Sequence, residues 1–331
     1  MKDQYGRKIE YMRVSVTDRC NLRCIYCMPE TGICCVSHEE ILRFDEIERV
    51  CRIAAGLGIS RIKLTGGEPL VRRGLPSLLG MLKKIPGIEQ VTLTTNGILL
   101  KEHMAELAAN GLDAVNISID TLDEEKYRRV TRGGDLRRAL EGLEAALACP
   151  GLRVKINCVP LADADPSDWI SLAELAEKRS VDVRFIEMMP VGLGRQFAGT
   201  ERGQIIDTLE GKFGAARIYR GERPGNGPAE YLTFPGFAGK IGFISAMTHK
   251  FCSTCNRIRL TPEGYLKACL QYDTGADLRK MLRGGSTDEE LRSVMEKVIY
   301  EKPACHHFEE QGREEEEDSH IEKKEMARIG G

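Results

Sequence analysis

The chain has no excess charge of one sign. Its 48 basic and 50 acidic side chains leave a formal net charge of −2, with both signs spread along the sequence. That balance, and the lack of a basic stripe, exclude a surface built mainly for nucleic acid or an anionic membrane, but they permit a local basic pocket for a small polyanion. Long apolar runs are also missing: none approaches the roughly 18–20 residues that span a bilayer. Met1–Tyr11 carries charge with no apolar segment behind it, so no secretory leader is expected and the protein reads as soluble and cytoplasmic. No repeat longer than one strand–helix unit is present. The 331 residues, 42% of them hydrophobic, can bury one large α/β domain with an appendage, or two ordinary domains.

Cysteine, by contrast, is plentiful. Twelve are many for a reducing compartment, where such residues bind metal or do chemistry more often than they form disulfides. Cys20, Cys24 and Cys27 form one group, and Cys252, Cys255 and Cys269 another. Cys51, Cys149 and Cys158 sit in apolar or periodic stretches and read as ordinary thiols. Cys34 and Cys35 are adjacent, outside the first group's spacing, and receive no role. Cys305 stands before His306 and His307.

Between residues 12 and 190 short β-rich runs alternate with amphipathic stretches. Strands are expected at Met12–Val16, Arg61–Thr65, Val91–Thr94, Ala114–Ser118, Val154–Val159 and Asp182–Glu187. Helices are expected at Glu39–Ala55, Leu75–Lys84, Lys101–Ala109, Leu136–Leu147 and Ser167–Lys178. This alternation implies parallel strands with right-handed crossovers, and six units suit an open, partial barrel or a doubly wound sheet. Polar punctuation follows the strands: Asp18–Cys27, Gly66-Gly67-Glu68-Pro69, Asn96-Gly97 and Asp120. Ligands bind at that rim in such folds. The expected organisation is a barrel over 1–190, a smaller C-terminal region over 191–308, and an acidic linker with a Gly-Gly tail over 309–331. The C-terminal region should hold short strands at Tyr231–Phe234 and Lys240–Ile244 and helices near Ala276–Leu282 and Thr287–Val298.

A cubane [4Fe–4S] cluster takes four thiolates. Cys20-x3-Cys24-x2-Cys27 can hold three irons from one loop and leave the fourth open to a small ligand. A zinc site would want a nearby second half, yet Cys252 lies 225 positions after Cys27. The second group is again three thiolates. A structural zinc would need His249 or Cys305 as fourth ligand, whereas a second cluster with an open iron would not. The neighbours favour a ligand site. Asn256–Leu260 reads as a strand, which places Arg257 and Arg259 on one face, and guanidinium suits phosphate.

The first motif, with Tyr26 before its last cysteine and with Gly66-Gly67-Glu68-Pro69 behind the next strand, resembles the radical S-adenosylmethionine superfamily. Both groups together resemble the GTP 3′,8-cyclase family of molybdenum-cofactor biosynthesis. The match extends from Arg13 to Gly330-Gly331 and includes Val14–Cys24, Leu64–Leu70, Thr94–Gly97, Phe185–Met189 and Cys255–Leu260. The resemblance implies a partial (β/α)6 barrel of the TIM type, closed by a C-terminal region carrying the second cluster. It implies two [4Fe–4S] clusters and S-adenosylmethionine, with Tyr26, Gly67, Ser118 and Met189 as its contacts. GTP would meet Arg13, Lys63, Thr94, Lys155, Arg257 and Arg259. Lys63 stands where the family more often has Arg, which loses the bidentate fork. The Gly330-Gly331 tail would enter the active site. GTP would be cyclised to (8S)-3′,8-cyclo-7,8-dihydroguanosine 5′-triphosphate, using a reductant, and a cyclic pyranopterin monophosphate synthase would act next. Whether the chain forms a homodimer is open. The competing expectation is a radical S-adenosylmethionine enzyme with an auxiliary cluster that modifies a peptide.

Overall fold

Alternation of side chains along each strand builds this molecule. In β1 (Tyr11–Ser15), β2 (Arg61–Thr65), β3 (Gln90–Thr95), β4 (Ala114–Ser118), β5 (Arg153–Cys158) and β6 (Asp182–Ile186), every second residue is apolar and buried. Met12, Val14, Ile62, Leu64, Val91 and Leu93 are each 0% exposed. They belong to one contiguous core with residues of the helices Phe44–Gly56, Leu75–Lys83, Leu100–Ala109, Leu136–Leu147 and Pro166–Lys178. The residues between them face the other way, and these are polar: Arg13, Lys63, Thr92, Asn116, Lys155 and Arg184. A closed eight-stranded barrel fills its interior with branched apolar side chains. Here the inner face is kept for a ligand.

The structure, a computed structural model, describes residues 1–222, 225–308 and 320–330. Its single sheet has the strand order β12-β11-β10-β1-β2-β3-β4-β5-β6-β9-β8-β7. The later strands are β7 (Arg217–Ile218), β8 (Glu230–Thr233), β9 (Ile241–Ile244), β10 (Arg257–Leu260), β11 (Tyr265–Lys267) and β12 (Gly275–Asp277). β10 joins β1 in parallel and β9 joins β6 in parallel, so both edges of the six-stranded unit are extended by chain from the C-terminal region. β11 and β12, and on the far side β8 and β7, add as antiparallel strands. Among the described residues no pairing joins β12 to β7, and the sheet is open.

The local elements lie close to expectation, with shifts that have causes. The helix expected from Glu39 starts at Phe44, because the Glu46 carboxylate accepts the Arg43 backbone N–H at 2.7 Å and stops the helix there. Ala276 and Asp277 belong to β12 rather than to a helix, and the Asp277 carboxylate caps the helix Leu278–Arg283. Helices at Glu124–Thr131 and Arg202–Phe213 were not anticipated. The last residues return to the body: Asp273 N–H donates to the His320 carbonyl at 2.8 Å, and Glu322 N–H to that of Gln271 at 2.6 Å. Ile329 then packs with Val191 and Phe308. The acidic linker 309–319 and Gly331 lie outside the described residues.

Candidate active site

The polar inner face lines a cavity of about 370 Å³, within the range of small-molecule sites. All six grouped cysteines line this one cavity, with every expected contact from Tyr26 to Arg259 except the tail glycines. At its rim the glycine pair decides the path of the chain. A Cβ on Gly67 would lie 2.5 Å from the Arg19 carbonyl oxygen, and one on Gly66 2.6 Å from that of Thr17. Only glycine lets β2 leave the sheet so close to the first cysteine loop. Gly67 N–H then donates to Thr17 and Glu68 N–H to Arg19, each at 2.8 Å, which zips the two loops together. The Glu68 carboxylate accepts from Thr95 Oγ1 and Asn96 N, each at 2.7 Å. Burial still pushes it up to about 7. Tyr26 donates its hydroxyl to Asp120 Oδ2 at 2.6 Å, and Asp120 Oδ1 accepts Val159 N–H at 2.8 Å. The aromatic inside the cysteine motif is thus pinned to the end of β4.

The first trio fits a metal cluster. Burial pushes the Cys20 thiol up to about 11 and Cys27 to about 12, and raises Cys24 well above its ordinary value; a neighbouring thiolate adds repulsion for Cys24 and Cys27. Thiolates gathered here need metal cations to be stable. Among the described residues no three Cys, His, Asp or Glu side chains converge on a single-ion point. A cubane bound with one thiolate per iron asks for thiols on one face of a cavity, and Cys20, Cys24 and Cys27 all line this one.

The second trio comes from two places: Cys252 and Cys255 at the two ends of one short turn ahead of β10, where Cys255 N–H donates to the Cys252 carbonyl at 3.1 Å, and Cys269 after β11. Burial would raise the Cys255 thiol, but Arg257 and Lys302 outweigh it and bring it down to about 6. That thiol is prepared as a ligand. Arg257 lies over the Phe251 ring at 4.9 Å. His249 and Cys305, the candidates for a fourth zinc ligand, do not line the cavity.

Strand register gathers the cations. Arg13 is paired with Lys63 on β2 and with Arg259 on β10, Asn116 with Lys155, and Asn157 with Arg184. Burial lowers Lys63 well below its ordinary value, and Arg184, Arg13, Lys155 and Arg257 lower it further. Burial and the repulsion of Arg13 and Arg257 do the same to Arg259. Lys155 falls to about 7 through burial and then Arg184. Cations gathered this closely form a site for an anion. Arg184 was missed from sequence, although its place in the apolar run Val183–Ile186 signalled it: alternation puts it on the inner face. Thr94 Oγ1 accepts from Asn116 Nδ2 at 3.2 Å. The tail reaches this group as well. Arg259 donates to the Gly330 carbonyl at 2.7 Å, and Gly330 holds φ +76° with Ser15 and Thr65 against it.

Residues 14–176 match the Radical SAM superfamily, and residues 181–308 match the family described as Molybdenum Cofactor Synthesis C. GTP 3′,8-cyclase of Clostridium perfringens (strain SM101 / Type A) is 46% identical over 331 residues, covering 100% of both chains. That of Heliobacterium modesticaldum is 47% identical over 317 residues, 94% of this chain and 96% of its own. Among solved structures, Streptococcus suis SuiB bound to its precursor peptide SuiA has a TM-score of 0.61 at 16% identity, over 90% of this chain and 66% of SuiB, which speaks to the fold alone. With its full length matched at this identity, and with both halves of the cavity-lining chain matched in order, the chain belongs to the GTP 3′,8-cyclase family of radical S-adenosylmethionine enzymes.

Proposed function

We propose that this cavity cyclises GTP to (8S)-3′,8-cyclo-7,8-dihydroguanosine 5′-triphosphate, the first step of molybdenum-cofactor biosynthesis. One observation carries the reading: two cysteine trios line one cavity with a buried group of mutually repelling cations. Cys20, Cys24 and Cys27 would hold a [4Fe–4S] cluster, which with S-adenosylmethionine would supply a 5′-deoxyadenosyl radical on reduction. Tyr26, Gly67, Ser118 and Met189, which line the cavity, would contact the S-adenosylmethionine, Tyr26 being held in place by Asp120. Arg13, Lys63, Thr94, Lys155 and Arg184 take the triphosphate, whose charge of about −4 matches the cations that the fold leaves in excess.

Cys252, Cys255 and Cys269 would hold a second cluster whose open iron takes the guanine, with Arg257 and Arg259 beside it. GTP held in this way has its ribose between the two ends of the cavity. The C3′ hydrogen is removed, a C3′–C8 bond closes, and one electron and one proton are added, so the product is an isomer of GTP. The Gly330 carbonyl accepts from Arg259, which would anchor the tail behind the wall around the nucleotide. The domain division at 190 and 308, a cytoplasmic setting, an external reductant and a downstream cyclic pyranopterin monophosphate synthase complete the proposal. The repulsion among these buried cations is relieved by a triphosphate and not by a neutral peptide, which favours the nucleotide. The test is anaerobic reconstitution with S-adenosylmethionine, reductant and GTP. Equal yields of 5′-deoxyadenosine and of a product with the mass of GTP are expected, and 5′-deoxyadenosine formed equally without GTP would refute the reading.

A further inference from the structure

Arg7 lies in the turn before β1, far in sequence from the second cysteine group, yet it is 8% exposed and every N–H of its guanidinium has an acceptor. Nε donates to Asp3 Oδ2 at 2.5 Å. One terminal nitrogen donates to the carbonyls of Cys252 and Ala304, each at 2.8 Å. The other donates to those of Pro303 at 2.7 Å and Lys302 at 3.2 Å. Asp3 is itself locked, since its Oδ1 accepts the backbone N–H groups of Tyr5 and Arg7. Lys302, 3% exposed, continues the chain of contacts: its ammonium donates to the Arg257 carbonyl at 3.0 Å and to the Ala268 carbonyl. The two cations therefore touch the backbone on both sides of the second trio, at the Cys252–Cys255 turn with the strand after it and at the residue before Cys269. Arg7 holds Cys252, and Lys302 ties the strand behind Cys255 to the residue before Cys269.

We infer that Arg7 and Lys302 form a two-cation frame that sets the spacing of Cys252, Cys255 and Cys269 and so positions the second cluster. The inference rests on the proposal that these cysteines hold a cluster. Its physical basis is geometric. Cys252 and Cys255 share one short turn, and the antiparallel pair β10 and β11 leads from there to Cys269, so the cluster needs that turn and the end of β11 held at a fixed separation, whereas the first trio sits on one short loop. Charge-assisted bonds to carbonyls in a buried site are strong and directional. Five fixed donors on one planar group can hold four carbonyls at once, which Lys at position 7 could not do. The Arg7 charge is balanced by Asp3, so the positive charge that the frame leaves beside the thiolates is that of Lys302. Arg7 lies outside the cavity lining and acts through the cysteines, while Lys302 lines the cavity and also places Arg257 through its carbonyl; in this inference both are positioning residues.

The experiment compares full-length wild type, R7M, R7K and K302M after anaerobic reconstitution. It reads iron and sulfide content, S-adenosylmethionine binding, the electron paramagnetic resonance spectrum with and without GTP, and apo-chain melting. Wild type should carry roughly eight irons and the Met variants roughly four. The Met variants should still bind S-adenosylmethionine and should lose the GTP-induced spectral change. R7K, which keeps the charge but not the fork, should fall between, and it reads the same quantities should R7M not fold. Full iron with an unaltered GTP response in R7M and K302M would overturn the frame. Iron lost from both clusters, together with lowered apo-chain melting, would overturn it as well, since that marks general support of the fold. Only about four irons in wild type itself would fail the two-cluster reading and this inference with it, a result distinguished by its appearance before any substitution.

Discussion

Lys155 is a cation the apo chain would be more stable without. It is 4% exposed, and burial followed by repulsion from Arg184 brings it from an ordinary 10.5 down to about 7. Each tenfold change in proton affinity is worth about 1.4 kcal/mol, so that drop corresponds to about 4 kcal/mol of destabilisation at pH 7. Replacement by Met, unbranched and similar in length, keeps most of the packing. The variant also gives up the contacts of the Lys155 ammonium, and a net gain of about 1–2 kcal/mol is expected. For a chain of this size that raises apo-chain melting by a few degrees. The sign with pH is fixed. Between about 7 and 10.5 the unfolded chain holds a proton that the folded chain has released, so this group's destabilisation is full below pH 7 and fades as pH rises through that window. The advantage of K155M over wild type should shrink in the same way. GTP binding should move oppositely: loss of one charge-assisted phosphate contact, about 1.5–3 kcal/mol, weakens affinity roughly 10- to 150-fold. Anaerobic differential scanning fluorimetry and titration calorimetry read both quantities. An apo chain that melts lower in K155M, with unchanged GTP affinity, would refute the reasoning.

Three further outcomes are expected. C269A should retain S-adenosylmethionine binding and about half the iron but form no cyclised product, as measured by iron assay and mass spectrometry; loss of both cofactor sites would contradict separate trios. G330A places a Cβ 2.8 Å from that of Ser15 at φ +76°, at a cost of about 1–2 kcal/mol, so turnover should fall about tenfold or more while GTP affinity changes little in calorimetry. G67A puts a Cβ 2.5 Å from a backbone oxygen that cannot move without parting the two loops, and equilibrium binding should show S-adenosylmethionine affinity reduced more than tenfold.

Much of this site is legible in local sequence because period-two alternation carries it. Lys63, Thr94, Lys155 and the Arg257–Arg259 pair sit on strands whose limits are readable to within a residue or two. Arg184 obeys the same alternation, but a lone charge in an apolar strand has no meaning until its neighbours across the sheet are known. Strand order is that missing quantity. β9 and β10 read as strands, yet nothing in their residues says that one pairs with β6 and the other with β1. Arg202–Phe213 escaped because its buried stripe is only Ile205 and Leu209, with Gly203 and Gly211 interrupting the helical pattern. Arg7 was invisible for a plainer reason: its carbonyl acceptors are 245 to 297 residues away.

The central claim is that the radical formed at the first trio acts on C3′ of a GTP held by the cations and the second trio. GTP carrying deuterium at C3′, turned over once anaerobically by the reconstituted chain, tests it directly. The account predicts one deuterium in the 5′-deoxyadenosine and a cyclised product lacking it. Unlabelled 5′-deoxyadenosine formed alongside cyclised product would contradict it.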